Sequence, residues 1–332
     1  MKRSAVLGAG AWGTALAKVL ADKGERVTLF ARRAELAEQL RRQGENERYL
    51  PGVPLPANLT ATDDLDEALG GADLIVLAVP SDSLRAVALE AFSRFERDVV
   101  VVSATKGIEN GSLMLMREVL IDVCGPPVDE RLAVLSGPSF AREVAHGLPT
   151  AVVVAGPPAV AKLAQQRCAA DHVRVYTSDD AVGVELGGAL KNVIAIAAGA
   201  SDGLGYGHNA RAALITRGLA EILRLTVAKG GNALTLAGLA GLGDLVLTCT
   251  GELSRNRTVG LELGKGHALA DVVAGLGHVA EGVKTAKSAH DLAERLGVDM
   301  PITAEVYRVL YEGKSPRHAV ADLMGRELHA EF

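Results

Sequence analysis

The first half of the chain alternates short apolar runs with stretches whose apolar residues recur every three to four positions. Residues 4–7, 26–30, 74–79, 99–103, 132–136, 151–155 and 173–176 are rich in Val, Ile, Leu and Ala and read as strands. Between them the period changes, and residues 12–21, 34–42, 83–91 and 113–123 read as helices. Strands that are apolar along their whole length are buried on both faces, as in a mostly parallel sheet with crossover helices. The pattern predicts a doubly wound α/β domain. Residues 44–56, with three prolines, read as an irregular loop.

After Thr177 the alternation stops. Residues 179–199, 211–229, 258–264, 269–276, 283–296 and 303–310 read as helices separated by glycine-rich turns. The expected division is therefore an α/β domain over residues 1–178 and an all-helical domain over residues 179–332, packed with a cleft between them. No internal repeat or low-complexity linker interrupts this plan.

Composition narrows the function classes. A net charge of −5 provides no basic footprint for nucleic acid or an anionic membrane. Cys124, Cys168 and Cys249 are far apart and form no CxxC pair, which argues against a disulfide framework and a zinc site and for a reducing cytoplasm. None of the eight histidines falls at metal-ligand spacing, so no metal site is expected. Lys2-Arg3 before an uncharged stretch imitates a signal peptide, but three glycines and a tryptophan interrupt it. The longest uncharged run, residues 144–161, holds His146, Pro149, Pro157 and Pro158 and reads as turn, buried strand and turn, not a membrane span.

The first predicted strand runs into Gly8-Ala9-Gly10-Ala11-Trp12-Gly13 and then a helix. That context suits a dinucleotide pyrophosphate: Gly8 for the tight turn, Gly10 for close backbone approach, Gly13 for helix–strand packing. Free N–H groups and the dipole at the helix start complete an anion site. After the second strand, where an NAD-specific fold places an acid, this chain has Arg32-Arg33. Two guanidinium groups suit a 2′-phosphate and favour NADPH over NADH, the competing reading being an exposed helix start.

Lys191 is the only charged residue between Leu186 and Ala200. Gly187 and Gly188 one turn before it and Ala195 one turn after it leave room for a ligand beside the ammonium. Such a lysine can protonate an alkoxide as hydride reaches a carbonyl carbon, or simply snorkel to solvent. Asp244, set among glycines and apolar residues, needs a partner such as Lys191. Ser254-Arg255-Asn256 precede a helix and read either as a phosphate cradle or as an N-cap with a solvated arginine. Lys106 and the Gly137-Pro138-Ser139 turn follow strands at the ligand edge of the sheet.

Six segments in order, GAGAWGTALA (8–17), SATKGIE (103–109), SGPSFARE (136–143), LKNVIAIAAG (190–199), GLGDLVLTCTGELSRNRTVG (241–260) and VAEGVKTA (279–286), resemble the bacterial type of NAD(P)-dependent glycerol-3-phosphate dehydrogenase over nearly the whole chain. The resemblance implies a Rossmann domain plus a helical domain, commonly assembled as a homodimer, which agrees with the cytoplasmic chain without membrane insertion read above from its cysteines and uncharged runs. The implied reaction interconverts dihydroxyacetone phosphate and sn-glycerol 3-phosphate for phospholipid synthesis. It implies Lys191 as proton donor/acceptor with Asp244 and Lys106 in the catalytic set. Implied substrate contacts are Lys106, Gly137, Ser139, Lys191, Asn192, Asp244, Thr248, Ser254, Arg255 and Asn256. Implied cofactor contacts are Gly8, Gly10, Ala11, Trp12, Gly13, Arg32, Arg33, Tyr49, Lys106, Ala141, Arg255, Val279 and Glu281. Ala11 stands where relatives often carry serine, so only its backbone N–H is available to a phosphate. Two other readings share parts of this pattern: a dehydrogenase of the β-hydroxyacid type, and a non-catalytic NAD(P)H sensor.

Overall fold

The computed structural model describes residues 2–95, 98–276, 280–328 and 330–331. The chain forms two compact units: Met1–Lys106 with Met114–Glu185, and Gly107–Leu113 with Leu186–Phe332. The division falls inside a continuous helix, a few residues beyond the change of pattern at residue 178, and the short segment after Lys106 goes with the helical unit.

The first unit comprises β1 (Arg3–Leu7), α1 (Ala11–Asp22), β2 (Arg26–Phe30), α2 (Ala34–Gln43), β3 (Glu45–Asn46), β4 (Leu50–Pro54), β5 (Leu59–Thr62), α3 (Leu65–Leu69), β6 (Leu74–Leu77), α4 (Leu84–Phe92), β7 (Val100–Ser103), α5 (Met116–Cys124), β8 (Leu132–Ser136), α6 (Ala141–Ala145), β9 (Thr150–Ala155), α7 (Pro158–Cys168) and β10 (Val173–Ser178). The main sheet has the order β10-β9-β8-β7-β6-β1-β2-β5. Every neighbouring pair is parallel except β8 with β9. This is a Rossmann-type sheet, with the strand order reversing beside β1. Because β8, β7, β6 and β1 are adjacent and parallel, the turns that follow them open on one edge.

Period-two alternation explains the two core layers. Val6, Leu74, Val76 and Val102 face one side, with Leu16 and Leu20 of α1, Leu36 of α2 and Val160 of α7. Ala5, Leu7, Ile75, Leu77 and Val101 face the other, with Ala68 of α3, Val87 of α4 and Met116 of α5. Covering both faces is what continuously apolar strands require.

Three expectations need correction here. Residues 44–56 are not irregular: β3 and β4 pair antiparallel outside the main sheet. Their prolines are tolerated because a two-stranded ribbon leaves N–H positions unpaired. β5 was not expected, being a four-residue edge strand (LTAT) too short to show a period. Residues 157–161 do not form a turn, since Pro158 opens α7. Proline fits the first helical turn, where its missing N–H has no intrahelical partner.

The second unit is helical: α8 (Ala181–Gly203, entering from the first unit), α9 (Gly207–Ala228), α10 (Asp244–Thr250), α11 (Arg255–Gly264), α12 (Leu269–Leu276), α13 (Glu281–Leu296), α14 (Pro301–Tyr311) and α15 (Pro316–Met324). α10 and α15 were not expected from the sequence, α10 having only seven residues. α8 is long and apolar enough to cross a membrane, but 83% of its apolar window is buried inside the protein. It is a core helix.

Candidate active site

The glycine turn between β1 and α1 has the three properties its spacing suggests. Gly8 has φ +116°, and a Cβ there would meet the Ala78 carbonyl oxygen at 2.5 Å. A Cβ on Gly13 would lie 1.9 Å from the Gly8 carbonyl oxygen. Gly10 has open space where a Cβ would point. It is the N-cap of α1 without a side-chain cap, and the first turn contains no acid. The first N–H groups of α1 therefore lack intrahelical acceptors and face no competing carboxylate. Trp12 has a buried indole N–H with no partner among the described residues. An open cradle, free donors and an orphaned N–H fit a dinucleotide pyrophosphate.

Arg32 and Arg33 are exposed in the turn before α2, Arg33 being its N-cap residue. Arg33 donates to the Tyr49 hydroxyl, and its guanidinium lies 5.8 Å from the centre of that ring. The structure thus brings together two of the proposed cofactor contacts through one hydrogen bond. Asn46 was missed in the sequence, where one asparagine in a polar stretch gives no signal. It is fully buried and donates to the Ala9 carbonyl (3.0 Å) and the Thr14 hydroxyl (2.7 Å). It ties the β3–β4 ribbon, and with it Tyr49, to the glycine turn.

At the same sheet edge, Lys106 follows β7 and donates weakly to the Gly137 carbonyl at 3.4 Å. Gly137, after β8, has φ +132°, and a Cβ there would press on the Val152 Cα at 3.0 Å. The Ser139 hydroxyl donates to the same Gly137 carbonyl at 3.0 Å. Ala141 then opens α6 and packs on the same core layer that Trp12 packs against. Lys106, Gly137 and Ser139 form one cluster at the carboxyl ends of β7 and β8.

In the second unit Lys191 donates to the Asp244 carboxylate. Asp244 is fully buried and Lys191 is 8% exposed. The Thr248 hydroxyl, one turn on in α10, donates to the Asp244 carbonyl at 2.6 Å and reaches its carboxylate at 3.5 Å. Paired charges are the condition for such burial, so the lysine does not snorkel to solvent. The space at Gly187 is not left for a ligand, as its sequence context suggests. A Cβ there would meet the Ala240 carbonyl oxygen at 2.4 Å. Residues 239–243 form a widened turn, with the Gly243 N–H bonded to the Gly238 carbonyl. Gly187 admits this turn one helical turn before Lys191, and the turn delivers Asp244 to the ammonium. Cys249 is buried nearby, where burial pushes its thiol up to about 12 and leaves it neutral.

Asn256 donates to the Asn192 side-chain oxygen (2.8 Å) and accepts from the Gly282 N–H (2.9 Å). Its amide therefore joins α8, α11 and α13, whereas an open cradle would leave it solvated. Ser254 caps α11, its oxygen accepting from the Arg257 N–H at 3.2 Å. The N-cap reading of Ser254 holds, and the capping hydroxyl keeps its proton for another acceptor. Arg255 is exposed as a residue, yet the desolvation of its guanidinium lowers its pKa and the Glu281 carboxylate counters that shift. Val279 lies outside the described residues.

α8 crosses α11 at backbone contact. A Cβ on Gly199 would meet the Arg257 carbonyl at 2.0 Å, and one on Gly260 the Ile196 carbonyl at 1.9 Å. Gly203 and Gly264 repeat the contact one turn on, at 2.3 Å from the Leu261 carbonyl and 2.4 Å from the Ala200 carbonyl. The small-xxx-small spacing, Gly199 with Gly203 and Gly260 with Gly264, is visible in the chain. Asp202 completes the crossing by accepting paired bonds from Arg211 and Arg257 at 2.7–3.0 Å. The crossing sets where Lys191 and Asn192 lie relative to residues 254–256.

The family profile described as NAD-dependent glycerol-3-phosphate dehydrogenase N-terminus matches residues 3–161, and the C-terminus profile of the same name matches residues 180–321. A glycerol-3-phosphate dehydrogenase (NAD(P)+) of an Anaeromyxobacter species (strain K) is 56% identical over 331 residues, covering 99% of this chain and 100% of that protein. One of the same name from Myxococcus xanthus is 55% identical over 331 residues, covering 99% of each. The crystal structure of glycerol-3-phosphate dehydrogenase from Coxiella burnetii superposes with a TM-score of 0.94 at 44% identity, covering 98% of this chain and 99% of that one. With both halves matched, the widened turn at residue 239, the buried Lys191–Asp244 pair and the glycine turn all fall within matched segments. The chain belongs to the NAD-dependent glycerol-3-phosphate dehydrogenase family.

Proposed function

We propose that this protein reduces dihydroxyacetone phosphate reversibly to sn-glycerol 3-phosphate with NAD(P)H, supplying the glycerol phosphate used in phospholipid synthesis. The observation that carries the reading is the buried Lys191–Asp244 pair, a proton source held by a carboxylate in a chain that also has an open dinucleotide cradle. When bound, the nicotinamide supplies the hydride. Gly8, Gly10 and Gly13 with the N–H groups of Ala11 and Trp12 hold the pyrophosphate. Resemblance to the family supports Tyr49, Ala141, Arg255, Glu281 and Val279 as further cofactor contacts.

Lys191 donates its proton to the alkoxide oxygen of the reduced substrate, and Asp244 keeps the ammonium oriented and charged until then. Thr248 steadies Asp244 in turn. Lys106, with Gly137 and Ser139, hydrogen-bonds a substrate oxygen and so stabilises charge that grows during reduction. Ser254, Arg255 and the N–H of Asn256 at the start of α11 hold the phosphate, with Asn192 keeping Asn256 in place. That phosphate is remote from the reacting carbon, so its binding energy orients the ketone.

Arg32 and Arg33 support NADPH as the preferred cofactor, through charge-assisted bonds to a 2′-phosphate. Three free, buried thiols support a cytoplasmic enzyme, and family resemblance supports a homodimer. Initial rates of NADPH and NADH oxidation with dihydroxyacetone phosphate test the reading. Substrate-dependent oxidation, faster at low NADPH than at low NADH, is expected. Cofactor binding without turnover, or activity confined to 3-hydroxyacids, would overturn it.

A further inference from the structure

Ser103 ends β7 and Ser136 ends β8, and neither has a part in the site described above. Both are buried, at 1% and 3% exposure, and both hydroxyl oxygens lack a hydrogen-bond partner among the described residues. They line one small cavity of about 10 Å³, together with Lys106 and Glu185. Glu185 accepts from the Arg117 N–H at 2.8 Å, which fixes that wall of the cavity. A volume of this size is at the lower limit for one water molecule, and far below any organic ligand. A water there has at least two hydroxyl partners, the number such a site needs. Two orphaned hydroxyls in adjacent strands would otherwise be unsatisfied at the ends of the β7–β8 ladder.

We propose that this cavity holds a single buried water that bridges the Ser103 and Ser136 hydroxyls and fixes the two turns carrying Lys106 and Gly137. Lys106 lies three residues after Ser103, and Gly137 follows Ser136 directly. The serines are thus positioning residues, and their effect on turnover rests on the reading of Lys106 as a substrate contact. A bridge between strand ends holds the turns carrying Lys106 and Gly137 in register, beside the 3.4 Å bond between those two residues.

The test uses the full chain with Ser103→Ala, Ser136→Ala and the double variant. Each single variant is expected to lower the melting temperature by about 2–4 °C. Each is also expected to raise KM for dihydroxyacetone phosphate about fivefold, with kcat and the KM for NADPH within about twofold. The double variant should cost no more than about twofold beyond the worse single, because either loss already breaks the bridge. A crystal structure of the unmodified protein should show one water within hydrogen-bond distance of both oxygens. A rise in melting temperature in either single variant would mean a dry, unsatisfied hydroxyl and would overturn the proposal, as would fully additive effects. Lys106→Ala with an unchanged KM would instead refute the substrate reading of Lys106 and leave the water test standing.

Discussion

Gly13 sits so close to Gly8 that a Cβ on residue 13 would lie 1.9 Å from the Gly8 carbonyl oxygen, whereas Gly10 between them faces open space. The two positions therefore separate folding from binding. Gly13→Ala must push α1 off β1 and is expected to cost about 3 kcal/mol, seen as a lower melting temperature. Gly10 has φ −75°, which alanine adopts readily, so Gly10→Ala should melt normally. It should nevertheless weaken NADPH binding at least about tenfold in a fluorescence titration, since its methyl group occupies the pyrophosphate approach. Equal stability losses in both variants would contradict this division.

The proposed preference for NADPH rests on Arg32 and Arg33, the pair after β2. Arg32→Ala should raise KM for NADPH about tenfold and leave KM for NADH within about threefold, because only NADPH has a 2′-phosphate. Arg33→Ala should affect both cofactors, because Arg33 also holds Tyr49. Steady-state kinetics with each cofactor decide the point, and an NADH penalty in Arg32→Ala equal to the NADPH penalty would refute it.

A separate prediction concerns stability. Glu221 of α9 accepts from the N–H groups of Ile302 and Thr303 and from the Thr303 hydroxyl, capping α14. Burial, only partly offset by those donors, pushes its carboxyl from an ordinary 4.5 up to about 7. Between those values the folded chain keeps a proton that the unfolded chain releases. This contribution to stability is fully present below pH 4.5, is lost as pH rises to about 7 and is constant above. It amounts to about 3 kcal/mol at 1.4 kcal/mol per pH unit. Urea unfolding at pH 5 and pH 8 should show that loss in the unmodified protein, relative to Glu221→Gln. Identical pH slopes in the two proteins would refute it.

The features legible in the sequence were those with a strong local signature. Long apolar strands with crossover helices announce a sheet covered on both faces, and a glycine turn between strand and helix announces its ligand edge. Lys191 and Asp244 were legible because each is a lone charge in apolar surroundings. Their union depends on a turn, admitted by the missing Cβ of Gly187, that brings Asp244 back from 53 residues along the chain, and no local pattern reports that distance. The same glycine, read locally, suggested room for a ligand where the fold places backbone. Asn46 and Asp202 were invisible for a related reason. Their partners lie across elements, so their importance appears only when the chain is folded. Short elements such as β5 and α10 escaped because four to seven residues cannot display a period.

In the proposed mechanism Lys191, held by Asp244, delivers the proton during reduction of dihydroxyacetone phosphate. The most direct measurement is kcat of Lys191→Ala at saturating dihydroxyacetone phosphate and NADPH, with NADPH affinity followed in parallel by fluorescence. A loss of about 10²–10⁴ in kcat is expected, with NADPH affinity within about threefold. Near-normal turnover by a folded Lys191→Ala protein would contradict it.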